Sequence, residues 1–82
     1  MDRPLSLRQL RRALFAFGVF EDTGRGKGSH TMFYKYIDGH KVSFPVPTSH
    51  DTLPTAYARA ARRKFKLTAE DGVTDQQFYD NT

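Results

Sequence analysis

Ser29-His30-Thr31-Met32-Phe33-Tyr34-Lys35-Tyr36-Ile37-Asp38-Gly39-His40-Lys41-Val42-Ser43-Phe44-Pro45-Val46 is the stretch that decides the fold. Ser29 to Ile37 is rich in aromatic and β-branched residues and reads as the longest strand. Asp38-Gly39 is a strong hairpin signal, because a type I′ turn requires positive φ at both central residues. Lys41 to Val46 then returns as the partner strand, with Pro45, which lacks an amide donor, near its end or on an edge. A two-residue turn fixes the pairing as Ile37 opposite His40, Lys35 opposite Val42 and Phe33 opposite Phe44. One hairpin face therefore carries Phe33, Ile37, Val42, Phe44 and Val46, and is the better core face. His30, Met32, Tyr34, Tyr36, Lys41 and Ser43 share the other, more amphipathic face. A one-residue slip would exchange the two.

Toward the N-terminus, Ser6-Leu7-Arg8-Gln9 has the reciprocal capping pattern that opens a helix. Leu7, Leu10, Leu14 and Phe17 follow at spacings of three, four and three, which makes one apolar stripe, and Gly18 ends the helix. Val19-Phe20-Glu21 reads as a short strand. Toward the C-terminus, Pro47 to Asp51 is a loop, and a second helix runs from about Leu53 or Pro54 to Lys64. Leu53, Tyr57, Ala61 and Phe65 form its apolar line. Glu70-Asp71-Gly72 is a turn, and Thr74-Asp75-Gln76-Gln77 repeats the capping pattern, opening one last helical turn that carries Phe78 and Tyr79. The expected order is α-β-β-β-α plus a tail. Two helices with apolar stripes need one sheet face to cover, so the expected architecture is a two-layer α+β sandwich with the other sheet face open. Double-stranded-RNA-binding domains share that element order.

With 82 residues the chain makes at most one domain with a modest core. It has no cysteine, which excludes disulfides and thiolate metal sites. No apolar run approaches the ~20 residues of a membrane span, so no membrane association is expected. Met1-Asp2-Arg3-Pro4 has neither the apolar core of a signal peptide nor the glycine of a myristoylation site. A cytoplasmic location is the resulting expectation. The formal charge is +4, which favours an anionic partner, nucleic acid first. Cations cluster at Arg8, Arg11 and Arg12, at Arg25 and Lys27, and from Arg59 to Lys66. Glu70, Asp71, Asp75 and Asp80 make the tail acidic.

Gly24-Arg25-Gly26-Lys27-Gly28-Ser29-His30 carries the chemistry. Glycines allow several backbone N–H groups to converge on an anion, Arg25 and Lys27 add positive charge, and Ser29 adds a donor. His30 follows at the start of a strand, where pairing limits its motion. Such a site can grip a phosphodiester beside an imidazole. A ribose 2′-hydroxyl attacks phosphorus only once a base takes its proton, and imidazole suits that task near neutral pH. Charge developing at phosphorus would be stabilised by Lys27, Arg25 and the loop amides. DNA, lacking the hydroxyl, would be spared. The same residues also suit a hairpin tip with a surface histidine. The loop is not a P-loop, because no Gly-Lys-Ser or Gly-Lys-Thr follows the required spacer, and it is not a dinucleotide fingerprint, because a strand follows it. His30, His40 and His50 lack metal-ligand spacing, so neither a metal nor another cofactor is expected.

The ordered set of a helix ending at Gly18-Val19, then Gly26-Lys27-Gly28-Ser29-His30, Asp38-Gly39, Val42-Ser43-Phe44-Pro45 and Leu67-Thr68 resembles the HicA toxins of bacterial toxin–antitoxin pairs. The resemblance covers about Leu5 to Thr68. It implies a HicA-like domain over residues 1–68, an acidic extension over 69–82, and a fold like that of double-stranded-RNA-binding domains. It also implies an mRNA interferase, that is, an endoribonuclease acting on mRNA, in which His30 is catalytic, Gly28 and Ser29 are its motif companions, and a HicB-type antitoxin covers the site. Ala61 and Arg62 stand where family helices carry a paired Ile-Leu, so the second helix should pack thinly.

Tyr34 and Tyr36 can stack on unpaired bases or serve as ordinary strand residues. Lys41, Arg59, Arg62, Arg63 and Lys66 can follow an RNA backbone or form a solvated face. His50 is a candidate acid for the leaving oxygen, with nothing local to bring it to His30. Three functions compete: a metal-independent endoribonuclease toxin, a non-catalytic RNA-binding module of the same fold, and a protein-interaction module whose open face receives a partner.

Overall fold

The computed structural model describes residues 1–23 and 28–82. Helix α1 (Leu7–Ala16) leads into strands β1 (Phe20–Asp22), β2 (His30–Ile37) and β3 (His40–Pro47). Helix α2 (Thr55–Lys64), a 3-10 turn at Ala69–Asp71 and helix α3 (Asp75–Tyr79) complete the chain. The result is an α+β domain with one antiparallel sheet in the order β1-β2-β3.

The hairpin forms in the register that the turn dictates. Asp38 and Gly39 have φ of 53° and 79°, and Ile37 pairs with His40, Lys35 with Val42 and Phe33 with Phe44. The ladder continues one pair beyond Val46, to His30 opposite Pro47. Thr31, Phe33 and Val46 are buried on one face, in one core with Leu10 and Leu14 of α1 and Ala58 and Ala61 of α2. On the other face Tyr36 stays 60% exposed. The molecule is only 17 Å across its thinnest direction, the thickness of a sheet and one layer of helices.

Helix α1 starts as its capping pattern requires. Ser6 Oγ accepts from the Gln9 amide at 3.1 Å, and Gln9 Oε1 accepts from the Ser6 amide at 3.0 Å. Lys35 reaches from the sheet to the other end of α1 and donates to the Phe17 carbonyl at 3.0 Å, where a cation suits the helix dipole. Arg11 on α1 grips Glu21 on β1 with two hydrogen bonds, at 2.7 and 3.1 Å.

The second helix departs from expectation in two ways. Leu53 is not helical: its amide donates to the Leu5 carbonyl at 2.8 Å, and the two residues form an isolated bridge. Within α2 the buried positions are Ala58, Ala61 and Arg62, with Tyr57 only half-buried. The expected thin packing is filled by the tail. Thr74 caps α3 by accepting from the Gln77 amide at 3.1 Å, and Phe78 and Tyr79 are buried in the same core as α1 and α2. Phe78 stacks on Phe17 with ring centroids 6.0 Å apart.

Candidate functional site

His30 is exposed at the first position of β2, and its surroundings hold it from three sides. Ser29 Oγ lies 3.1 Å from Nδ1 of the ring. The Ser29 carbonyl accepts from the Thr48 amide at 2.7 Å, which ties the chain before His30 to the chain after β3. On the far side, buried Thr31 donates to Glu21 Oε2 at 2.7 Å. The Glu21 carboxyl is held below its usual range by the Arg11 hydrogen bonds first, against the opposing effect of burial, with Thr31 adding to the lowering. Glu21 is thus an ionised anchor that links α1, β1 and the start of β2.

With Nδ1 engaged by Ser29, Nε2 is the ring nitrogen left for a substrate. His30 stands at the lip of a groove of about 510 Å³ between the edge strand β3 and α2, lined also by Phe44, Pro45, Pro47, Ala56, Tyr57 and Ala60. Arg63 and Lys64 follow Ala60 by three and four positions. They occupy the same flank of α2 one turn further along, and both are exposed.

Gly28 and Ser29 adjoin His30, and both are exposed. Gly28 has φ of +66°, the region that favours glycine. Arg25 and Lys27, the cations expected to complete the anion site, lie outside the described residues. Tyr34 and Lys41 share the open sheet face: the Lys41 ammonium sits over the Tyr34 ring, 4.7 Å from its centroid. Tyr34 follows His30 by four strand positions, about 13 Å along β2. Tyr36 packs edge-on against Tyr34 at 6.3 Å.

The expected basic face of α2 is divided. Arg63 is exposed. Arg59 lies 3.6 Å from Asp2 Oδ2, which engages part of its charge. Arg62 does not belong to that face: it is 3% exposed, and all its hydrogen bonds run inward or to the chain ends. It donates to Asp2 at 2.9 Å, to Asp75 at 2.7 Å and to the carbonyls of Leu67 and Val73 at 2.9 and 3.2 Å. Its guanidinium also lies 5.1 Å from the Phe78 ring centroid. A cation so fully engaged cannot track an external phosphate chain.

Sequence reasoning missed two features of the site. Phe20 on β1 is opposite Tyr34 and stacks on it at 5.5 Å, which brings a third ring to the open face. A β1–β2 pairing cannot be read from the sequence, because no short turn fixes it. The bond between Thr48 and Ser29 starts the loop bearing His50 beside His30. Extending the hairpin register by two residues would have revealed it. His50 and His40 are both exposed. Among the described residues no three His, Asp or Glu side chains converge as metal ligands, and no helix is long and apolar enough to cross a membrane. The chain matches no protein-family model, no curated protein and no solved structure.

Proposed function

We propose that this chain is an endoribonuclease of the HicA type, with a fold related to double-stranded-RNA-binding domains and an activity restrained by a HicB-type antitoxin. The observation that carries the reading is the setting of His30. It is an exposed histidine at the end of a clamped strand, with Nδ1 beside the Ser29 hydroxyl, and it lines a groove.

His30 serves in general acid–base catalysis. As base it takes the proton of the ribose 2′-hydroxyl; the 2′-oxygen then bonds to phosphorus, and the bond from phosphorus to the 5′-oxygen breaks. The leaving oxygen takes a proton from water, protonated His30 returns its own to solvent, and the product strand ends in a 2′,3′-cyclic phosphate. The reaction needs neither a metal nor a cofactor. Ser29 orients the ring, and Gly28, Arg25 and Lys27 would hold the phosphate. Arg63 and Lys41 would meet phosphates on either side.

The test is expression of the wild-type chain and of His30→Ala in bacteria, followed by RNA cleavage with the purified proteins in EDTA. Wild type arrests growth and leaves cyclic phosphate ends, while the variant is slower by about 10²–10⁴-fold. Equal cleavage by the two proteins would refute the role of His30. RNA binding without cleavage by either would make the domain a non-catalytic RNA-binding module.

A further inference from the structure

Three rings on the open sheet face do nothing for the core. Phe20 is 55% exposed and Tyr36 60% exposed, and Tyr34 lies between them, stacked on Phe20 at 5.5 Å and edge-on to Tyr36 at 6.3 Å. Strand pairing fixes their order, since Phe20 lies across from Tyr34 and Tyr36 follows two positions on. The Lys41 ammonium is held at 4.7 Å over the Tyr34 ring. Along β2 the same face continues through half-buried Met32 to His30.

We infer that the open face of the sheet is a stacking platform for unpaired RNA bases, in which Phe20, Tyr34 and Tyr36 take the bases and Lys41 takes a phosphate. The inference rests on the RNA reading above and deepens it: the substrate is single-stranded, and the platform delivers it to His30. Bases stack on aromatic rings with little regard to sequence, provided their faces are not already covered by a complementary strand. A duplex hides those faces, so a ring platform selects against it. Charge complementarity favours RNA over an apolar protein surface. The chain carries +4 overall, and the hairpin contributes Lys41 to this face, where Asp22 of β1, across from Met32, is the acidic side chain among the described residues. The roughly 13 Å between Tyr34 and His30 lets a strand of a few nucleotides touch both, so bases held on the rings fix which phosphate meets the imidazole.

The experiment measures binding on a His30→Ala background, so that the RNA stays intact. Fluorescence anisotropy follows a labelled, unstructured RNA of about 12 nucleotides, alone and annealed to its complement. The single strand is expected to bind at least about tenfold more tightly than the duplex. Phe20→Ala and Tyr36→Ala, at positions exposed enough to spare the fold, should each weaken single-strand binding by roughly fivefold or more, while Tyr36→Phe, which keeps the ring, should bind like its parent. Circular dichroism verifies that each variant is folded. Duplex binding as tight as single-strand binding overturns the inference. So does single-strand affinity indifferent to the rings, which would leave the face to a protein partner. Cleavage is read separately on chains that keep His30. His30-dependent cleavage with ring-independent binding sinks the platform alone, whereas ring-dependent binding without cleavage sinks the ribonuclease reading alone.

Discussion

Replacing Arg62 and Arg63 separately by methionine tests how α2 divides its cations. Arg63→Met removes an exposed charge and should change stability by less than about 0.5 kcal/mol. Arg62→Met strands the carbonyls of Leu67 and Val73 and takes a partner from two carboxylates. Removing one member of a buried ion pair costs about 3–5 kcal/mol. The low end applies here, because Asp75 is 44% exposed and rehydrates, and Asp2 keeps the Tyr79 hydroxyl at 2.8 Å. A loss near 3 kcal/mol is a large share of the roughly 4–12 kcal/mol expected for a chain of this length, and lowers Tm by more than about 10 °C. Urea unfolding followed by far-UV circular dichroism measures both variants. RNA affinity against salt, measured where both are folded, should move the other way: Arg63→Met reduces the slope by about one, and Arg62→Met leaves it unchanged. Adding Asp2→Asn and Asp75→Asn to Arg62→Met should recover part of the lost stability. An Arg62→Met loss below about 1 kcal/mol, or a salt slope that falls equally in both variants, would refute the division.

Tyr79 gives an alkaline test. Burial first, and then its bond to the Asp2 carboxylate, push the phenol up to about 12, against the opposing bond from the Arg3 amide. The unfolded chain therefore releases this proton first, and stability present below pH 10 is lost as pH rises toward 12, by up to about 3 kcal/mol. Tyr79→Phe should lose about 1 kcal/mol at neutral pH and show a correspondingly shallower alkaline decline in urea titrations; an unchanged decline contradicts the assignment. Truncation after Thr68 removes Phe78 and Tyr79 from the core and Asp75 and the Val73 carbonyl from Arg62. Two buried aromatic rings at about 3–5 kcal/mol each exhaust the margin, so residues 1–68 should lack cooperative unfolding by calorimetry, and a sharp transition there would count against a structural tail.

The parts of the fold that local chemistry controls were legible. Asp38-Gly39 set the hairpin register, and the two capping boxes marked the starts of α1 and α3. Of the line expected for α2, Leu53, Ala61 and Phe65 are buried and Tyr57 packs against the core; what it left out is Ala58 and Arg62, which the roughly 100° step of a helix places beside Ala61 and Phe65. The true face alternates through Ala58, Ala61, Arg62 and Phe65. An arginine on that face looks wrong locally, and its carboxylate partners lie 60 and 13 residues away. At the site, His30 and Ser29 were legible from their order alone. The clamp from Thr48 follows from the same register carried two residues further, whereas the place of Phe20 depends on a β1–β2 pairing that no short-range signal encodes.

The tail also bears on why the open face stays open. A domain this short has little core to spare, and α2 contributes two buried alanines, an arginine, the half-buried Tyr57 and the Phe65 that caps it. The deficit is met by Phe78 and Tyr79, which close over α1 and α2 and supply, with Asp75, the setting for Arg62. The same segment, or a fourth strand, would have gained stability by covering Phe20, Tyr34 and Tyr36 instead. Single exposed apolar residues need no explanation, but a contiguous aromatic surface on a marginal domain does. Folding does not supply one here, since the rings contact one another and Lys41 rather than the core. Left exposed on the face that leads to His30, these rings are what the proposed stacking of unpaired bases would use.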